Sequence, residues 1–231
     1  MPELPAALPH GPIEEVFQDV FVVRGRVKPG PGIYFDRNMA IVRRGGELVA
    51  INSVRLSDAG EAELARLGKL THVLRIGAGH GMDDPYYVDR FAATLWGPPG
   101  MPHEVPGARI LSDTDKPLDG EVFTFTHGRR PEACVILPIA GGVLVSCDSY
   151  QNWTTFEHCS LLAGPFARLM GFGPAVVGRP WAKKMGPDVR RDLEALAEKA
   201  FVHLVPGHGS VLRDEARTHL PGAIRRRFGA A

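Results

Sequence analysis

The chain has 231 residues, of which 44% are hydrophobic and 23% charged, a balance that argues against disorder and against a membrane protein. Its 27 Lys and Arg stand against 26 Asp and Glu, so net charge gives no broad field to attract nucleic acid or anionic lipid. The length can bury a core without staples. The 20 Pro and 27 Gly are scattered as punctuation rather than gathered into a linker, and a single domain over 1–231 is expected.

The first third reads as β-structure. VFVVRGRV is followed by MAIVRR and ELVAINSV, the last two separated by Gly45-Gly46, a two-residue hairpin signal. SDAGEAELARLGKL predicts a short helix, with Ser57 as N-cap, Leu64 and Leu67 on one face and Gly68 as the stop. The strand THVLRI comes next, then RIGAGHGMDDPYY, and Pro85 and YYVDRFAATL predict a second helix. A proline-rich passage, WGPPGMPHEVPGARI, leads to EVFTFTH, ACVILPI and GVLVSCD, strands apolar at nearly every position, as in a sheet covered on both faces. DVRRDLEALAEKA predicts a helix that Asp188 could cap, with Leu193, Leu196 and Ala197 as its buried stripe. FVHLVPGHGSVL reads as a strand entering a Gly-rich turn. This order predicts layered α/β or α+β architecture, with sheets inside and helices outside.

Cys134, Cys147 and Cys159 are odd in number and widely spaced, which predicts reduced thiols and a cytoplasmic protein. The N-terminal MPELPAALPHG lacks the pattern of a signal peptide, and no run of about 18 apolar residues could span a bilayer. The basic run Arg225, Arg226, Arg227 is read as a helix end.

Several apolar runs end in a His or Asp. His80 and Asp84 follow THVLRI, His127 follows VFTFT, Asp148 follows VLVSC, and His208 follows FVHLVPG. Loops leaving several strands on one side can bring such groups to one point, and imidazole with carboxylate suits zinc, iron or manganese. Each also has a structural reading. Asp84 before Pro85 suits a helix N-cap, His127 a turn, and His80 and His208 a place in glycine-rich loops. Tyr86, Tyr87, Tyr150, Trp153 and Trp181 could line a pocket or pack as core.

The order of these features resembles the metallo-β-lactamase fold superfamily. A β-meander, a strand ending in a His/Asp loop, a strand ending in His, GGVLVSCDS and LVPGHGS match it in turn over residues 14 to 216. The resemblance implies an α+β fold, a four-layer αββα sandwich of two mixed β-sheets flanked by helices. It also implies a metal site at His80, Asp84, His127, Asp148 and His208. LVPGHGS is the most specific match; GGVLVSCDS has Cys147 where Gly is usual. The first motif, normally His-x-His-x-Asp-His, is degenerate. With His80 at the first position, Met82, Asp84 and Pro85 fill the rest; an ungapped register gives Gly77, Gly79, Gly81 and Met82.

Two consequences follow. In one, the five residues hold a single metal or a loosely held pair, with Asp83 as a further oxygen donor. The protein is then a hydrolase of an ester, thioester, lactone or phosphoester, with Asp84 or Asp148 as general base. In the other, no metal is bound and the cleft takes a small molecule or a partner protein. A di-iron redox protein is a third reading. Neither nucleic acid nor membrane is an expected partner.

Overall fold

The computed structural model describes residues 6–101, 105–157, 159–160 and 163–229; parts of the N-terminal stretch and of the proline-rich passage lie outside the described residues. The β-branched runs near the N-terminus form an antiparallel meander of β1 (Ile13–Phe17), β2 (Val20–Gly30), β3 (Ile33–Arg44) and β4 (Glu47–Ile51). After α1 (Asp58–Leu67), the strands β5 (Lys69–Leu74), β6 (Thr94–Gly97) and β7 (Arg109–Ile110) join in parallel, with α2 (Asp84–Phe91) between β5 and β6. The result is a seven-stranded mixed sheet in the order β1 to β7.

The predicted boundaries of α1 hold for the physical reasons given. The Ser57 hydroxyl accepts the Gly60 N–H at 3.3 Å, and the Gly68 N–H closes the last turn on Leu64. The second helix departs from expectation at both ends. Its N-cap position is Asp83, whose side chain makes no capping bond, and Asp84 is the first helical residue. At the other end Ala92 turns left-handed, at φ 53°, and stops the helix. The apolar spacing that carried it through Leu95 belongs instead to β6, where Leu95 and Trp96 are buried beside β5.

The second sheet holds β8 (Glu121–Thr124), β9 (Ala133–Leu137), β10 (Val143–Val145) and, after a long excursion, β13 (His203–Val205), in the order β13-β10-β9-β8. Between β10 and β13 run a short antiparallel pair, β11 (Tyr150–Gln151) with β12 (Val176–Val177), and the helices α3 (Ala163–Leu169), α4 (Arg179–Met185) and α5 (Val189–Ala197). The helix α6 (Ala216–Phe228) closes the chain. Arg226 and Arg227 in its last turn donate to the carbonyls of Ala175 and Val177.

Period-two alternation divides the sheets' side chains among three cores. Val22, Val42, Ile51 and Leu74 of the first sheet meet Val122, Val135 and Val143 of the second. On the outer face of the first sheet, Val23, Ile41 and Val73 pack with Leu64 and Tyr87 of α1 and α2. On the outer face of the second, Cys134 and Leu144 pack with Trp181, Leu193, Leu196 and Leu220 of α4, α5 and α6. This is the αββα sandwich, and each fully buried aliphatic side chain contributes about 1.5–3 kcal/mol to holding it. Cys134 and Cys147 are buried and Cys159 half-buried, all as free thiols. Among the described residues no helix is long and apolar enough to cross a membrane.

Candidate metal centre

The parallel pair β10 and β13 sets up the site. Val145 is in register with Val205, and Asp148 and His208 each lie three residues further along, so the two side chains leave the same sheet edge together. His80 comes from the first sheet, in the loop between β5 and α2. That loop is tied to the second sheet where the Ala133 N–H donates to the Ile76 carbonyl at 2.8 Å and where Gly77 bridges Glu132. Gly77 is required there, since a Cβ would stand 2.2 Å from the Cys147 sulfur.

Three donor atoms converge. His208 Nε2 lies 3.0 Å from Asp148 Oδ1, and His80 Nε2 lies 3.5 Å from that oxygen and 3.1 Å from His208 Nε2. The Cys147 sulfur, His80 and Asp148 also have ligand atoms within 4.8 Å of one another. Burial pushes the Cys147 thiol well up, and the neighbouring Asp148 and Glu132 charges add to this, so it stands there as a thiol.

The His208 ring is locked. Its Nδ1–H donates to the Asp36 carbonyl at 2.6 Å, which leaves Nε2 to face the cluster, and Trp153 stacks on it at 5.6 Å between centroids and 11° between planes. The Pro-Gly-His-Gly turn is held by Asn38, whose side-chain amide donates to the Pro206 and Gly209 carbonyls at 2.9 and 2.7 Å. Gly209, at φ 85°, lies so close to Asn152 that a Cβ would fall 2.1 Å from its carbonyl oxygen. His80 is less supported: its Nδ1 is buried and has no hydrogen-bond partner.

Charges at the cluster follow from one anion shared by two imidazoles. Burial works against the Asp148 carboxylate, but the imidazoles of His80 and His208 outweigh it and hold the carboxyl well below its usual range. For His208, burial is opposed by the Asp148 hydrogen bond and charge together with Asp36, and the net direction is up. Burial dominates at His80, with its pKa lowered despite Asp148. A proton therefore resides more readily on His208 than on His80.

The other expected ligands are engaged elsewhere. Asp84 is fully buried, taking the Arg75 Nε–H on Oδ2 at 2.6 Å and the Ser53 hydroxyl on Oδ1 at 2.5 Å. Asp83 accepts from the buried Arg37 at 3.0 Å and from the Arg55 N–H at 3.0 Å. His127 lies three residues beyond β8, a strand two positions from β10 in the sheet order, a separation of about 9–10 Å between those strands. Its ring meets Asp192 of α5 at 2.8 Å instead, with its side chain 45% exposed. Met82 is exposed.

Glu132 is a site residue that the sequence reading missed. It is buried, and its Oε1 and Oε2 accept the Ser149 N–H and the Trp181 indole N–H at 3.1 and 2.8 Å. Burial and the Asp148 charge raise its pKa well above the usual range. An acid directly before the wholly apolar ACVIL of β9 was the available signal. Of the aromatic group, Tyr87, Tyr150 and Trp181 are core, and only Trp153 is stacked on a residue of the cluster.

The donor set fits a divalent cation. Two donors each about 2.0–2.1 Å from a zinc ion at the tetrahedral angle stand about 3.3 Å apart, and the three separations here bracket that value. Two imidazole nitrogens and a carboxylate oxygen also suit iron or manganese.

No protein-family model matches the sequence, and no curated protein matches it. Solved structures do match in fold. The structure of VMB-1, crystallised at pH 5.5, superposes with a TM-score of 0.67 over 93% of this chain and 96% of its own, at 13% identity. The metallo-β-lactamase FIM-1 from Pseudomonas aeruginosa, in its mono-zinc form, gives 0.66 over 96% and 97% at 12% identity. A flavo di-iron protein variant from Thermotoga maritima gives 0.63 over 92% of this chain and 61% of its own, at 13% identity. Spanned almost end to end by such structures, and with its donors gathered at the edge where the two sheets meet, this chain has the metallo-β-lactamase fold.

Proposed function

We propose that the protein holds one divalent cation, zinc, iron or manganese, at His80, Asp148 and His208, and hydrolyses an ester, thioester, lactone or phosphoester. The convergence of those three donor atoms at 3.0–3.5 Å carries the reading. A cation held there by three protein donors, with a position left open, supplies Lewis acidity toward a carbonyl or phosphoryl oxygen and acidifies water. The mono-zinc form of FIM-1 and the iron of the flavo di-iron protein support keeping both metals as candidates.

The chain's own groups have separate tasks. The Asp36 carbonyl and Trp153 fix the His208 ring. Asp148 is the carboxylate placed to orient the water, because its side chain keeps 30% exposure beside the cluster. Asp84, sealed against Arg75 and Ser53, has no access to a water molecule and takes no part in the proposal. His127 takes none either.

A second reading, a metal-free binder of a small molecule or partner, is favoured by one observation. His80 lacks the partner on Nδ1 that normally orients a ligating imidazole, and such support is commonly worth 10–100-fold in metal affinity. Metal analysis of protein purified without chelator separates the two. About one equivalent supports the hydrolase reading, and less than about a tenth removes it.

A further inference from the structure

Two cavities open beside the donor cluster. One, of about 220 Å³, has an apolar lining of Val27, Phe35, Trp153, Phe172 and Pro180. Asp148, His208 and Lys184 also line it. The other, of about 40 Å³, is smaller and polar, with Arg130, Glu132, Asp148 and Lys184 in its wall. Asp148 and Lys184 belong to both, so the two spaces adjoin at the cluster.

The charges in the polar cavity are unequally answered. Both Glu132 oxygens accept hydrogen bonds from Ser149 and Trp181, and Asp148 Oδ1 faces two imidazoles. Arg130 and Lys184 are exposed, and neither has a hydrogen bond, ion pair or ring contact among the described residues. Two cations without a counter-ion among the described residues, both lining one small cavity next to an apolar cleft, describe a receptor for a molecule with an apolar end and an anionic end.

We propose that the substrate of this cleft is an amphiphilic organic anion, with an apolar or aromatic body against Trp153, Phe172 and Phe35 and a carboxylate or phosphate group met by Arg130 and Lys184. This narrows the substrate class of the hydrolase reading and rests on it only for the position of the reacting bond, at Asp148 where the cavities meet. Recognition of the anion uses side chains that are not metal donors and does not require the cation.

The test is therefore a binding measurement on chelator-treated protein, by isothermal titration calorimetry, with 4-phenylbutyrate, its uncharged analogue 4-phenylbutyramide, acetate and 2-phenylethyl phosphate. The expected result is that an aryl anion, carboxylate or phosphate, binds about five-fold tighter than the amide, the scale of two solvent-exposed charge pairs. Acetate binds more weakly than 4-phenylbutyrate by ten-fold or more. In R130Q/K184Q the preference over the amide disappears; both substituted side chains are exposed, so folding is preserved. Which of the two aryl anions binds tighter assigns the headgroup. Equal binding of acid, phosphate and amide, no binding of any probe, or a preference that survives R130Q/K184Q overturns the inference. Failure here leaves the metal content untouched, and absence of metal leaves this selectivity untouched, so the two ideas fall separately.

Discussion

Arg75→Met probes the buried ion pair that takes Asp84 out of the site. Arg75 Nε and Asp84 Oδ2 are 2.6 Å apart, with the side chains 7% and 0% exposed, so little solvent screens or replaces the contact. Removing one member leaves a buried carboxylate uncompensated, at a cost of about 3–5 kcal/mol. For a chain of this size that lowers Tm by roughly 6–20 °C. The loss has a definite pH dependence. Burial already pushes the Asp84 carboxyl up, and the Arg75 charge is the largest force pulling it down. Without Arg75 the folded state binds the proton more tightly than the unfolded chain, whose carboxyl titrates near ~3.9, so the variant loses stability as pH rises above that value. Urea denaturation at pH 4 and pH 7 reads both effects, and the deficit should be larger at pH 7. The double variant R75M/D84L, which removes both charges, should recover most of it. A deficit under about 1 kcal/mol at pH 7, the range of a solvated pair, would refute the claim that Asp84 is sealed in a dry pair.

Two further substitutions test how the site is positioned. Gly77→Ala places a methyl group against the buried Cys147 sulfur, 2.2 Å away, and should cost about 1–3 kcal/mol in chemical denaturation, as overpacking does; adding Cys147→Ala should restore part of the loss. Asn38→Ala removes two buried hydrogen bonds to the turn that carries His208. It should weaken metal affinity by about 10–100-fold in a competition titration with a chelator, beyond any loss of stability.

Much of the fold was legible because local signals and tertiary packing agree. Gly45-Gly46, Ser57 and Gly68 each do in the structure what their chemistry requires, and the alternating and all-apolar runs become one sheet face or two. The β6 strand was missed because ATL continues the helical spacing of α2, while the left-handed Ala92 that ends the helix carries no sequence signature. At the site, the rule that polar residues close apolar runs found Asp148 and His208, whose strands are parallel neighbours in register, and His80. The same rule gave His127, yet β9 lies between β8 and β10, and strand order is not written in any single run. Asp84 was read from its own neighbours. Its fate is set by Arg75, nine residues earlier, and by Ser53 from the end of β4, contacts that only the folded chain makes.

His80, Asp148 and His208 are proposed to form one cation site. Elemental analysis of the purified wild-type protein beside D148N, H208A and D84N variants tests it most directly. About one equivalent of zinc, iron or manganese in the wild type and in D84N, with less than about a tenth in D148N and H208A, is the predicted pattern. A wild-type protein without metal, or a D84N variant that loses it while H208A retains it, would contradict the assignment.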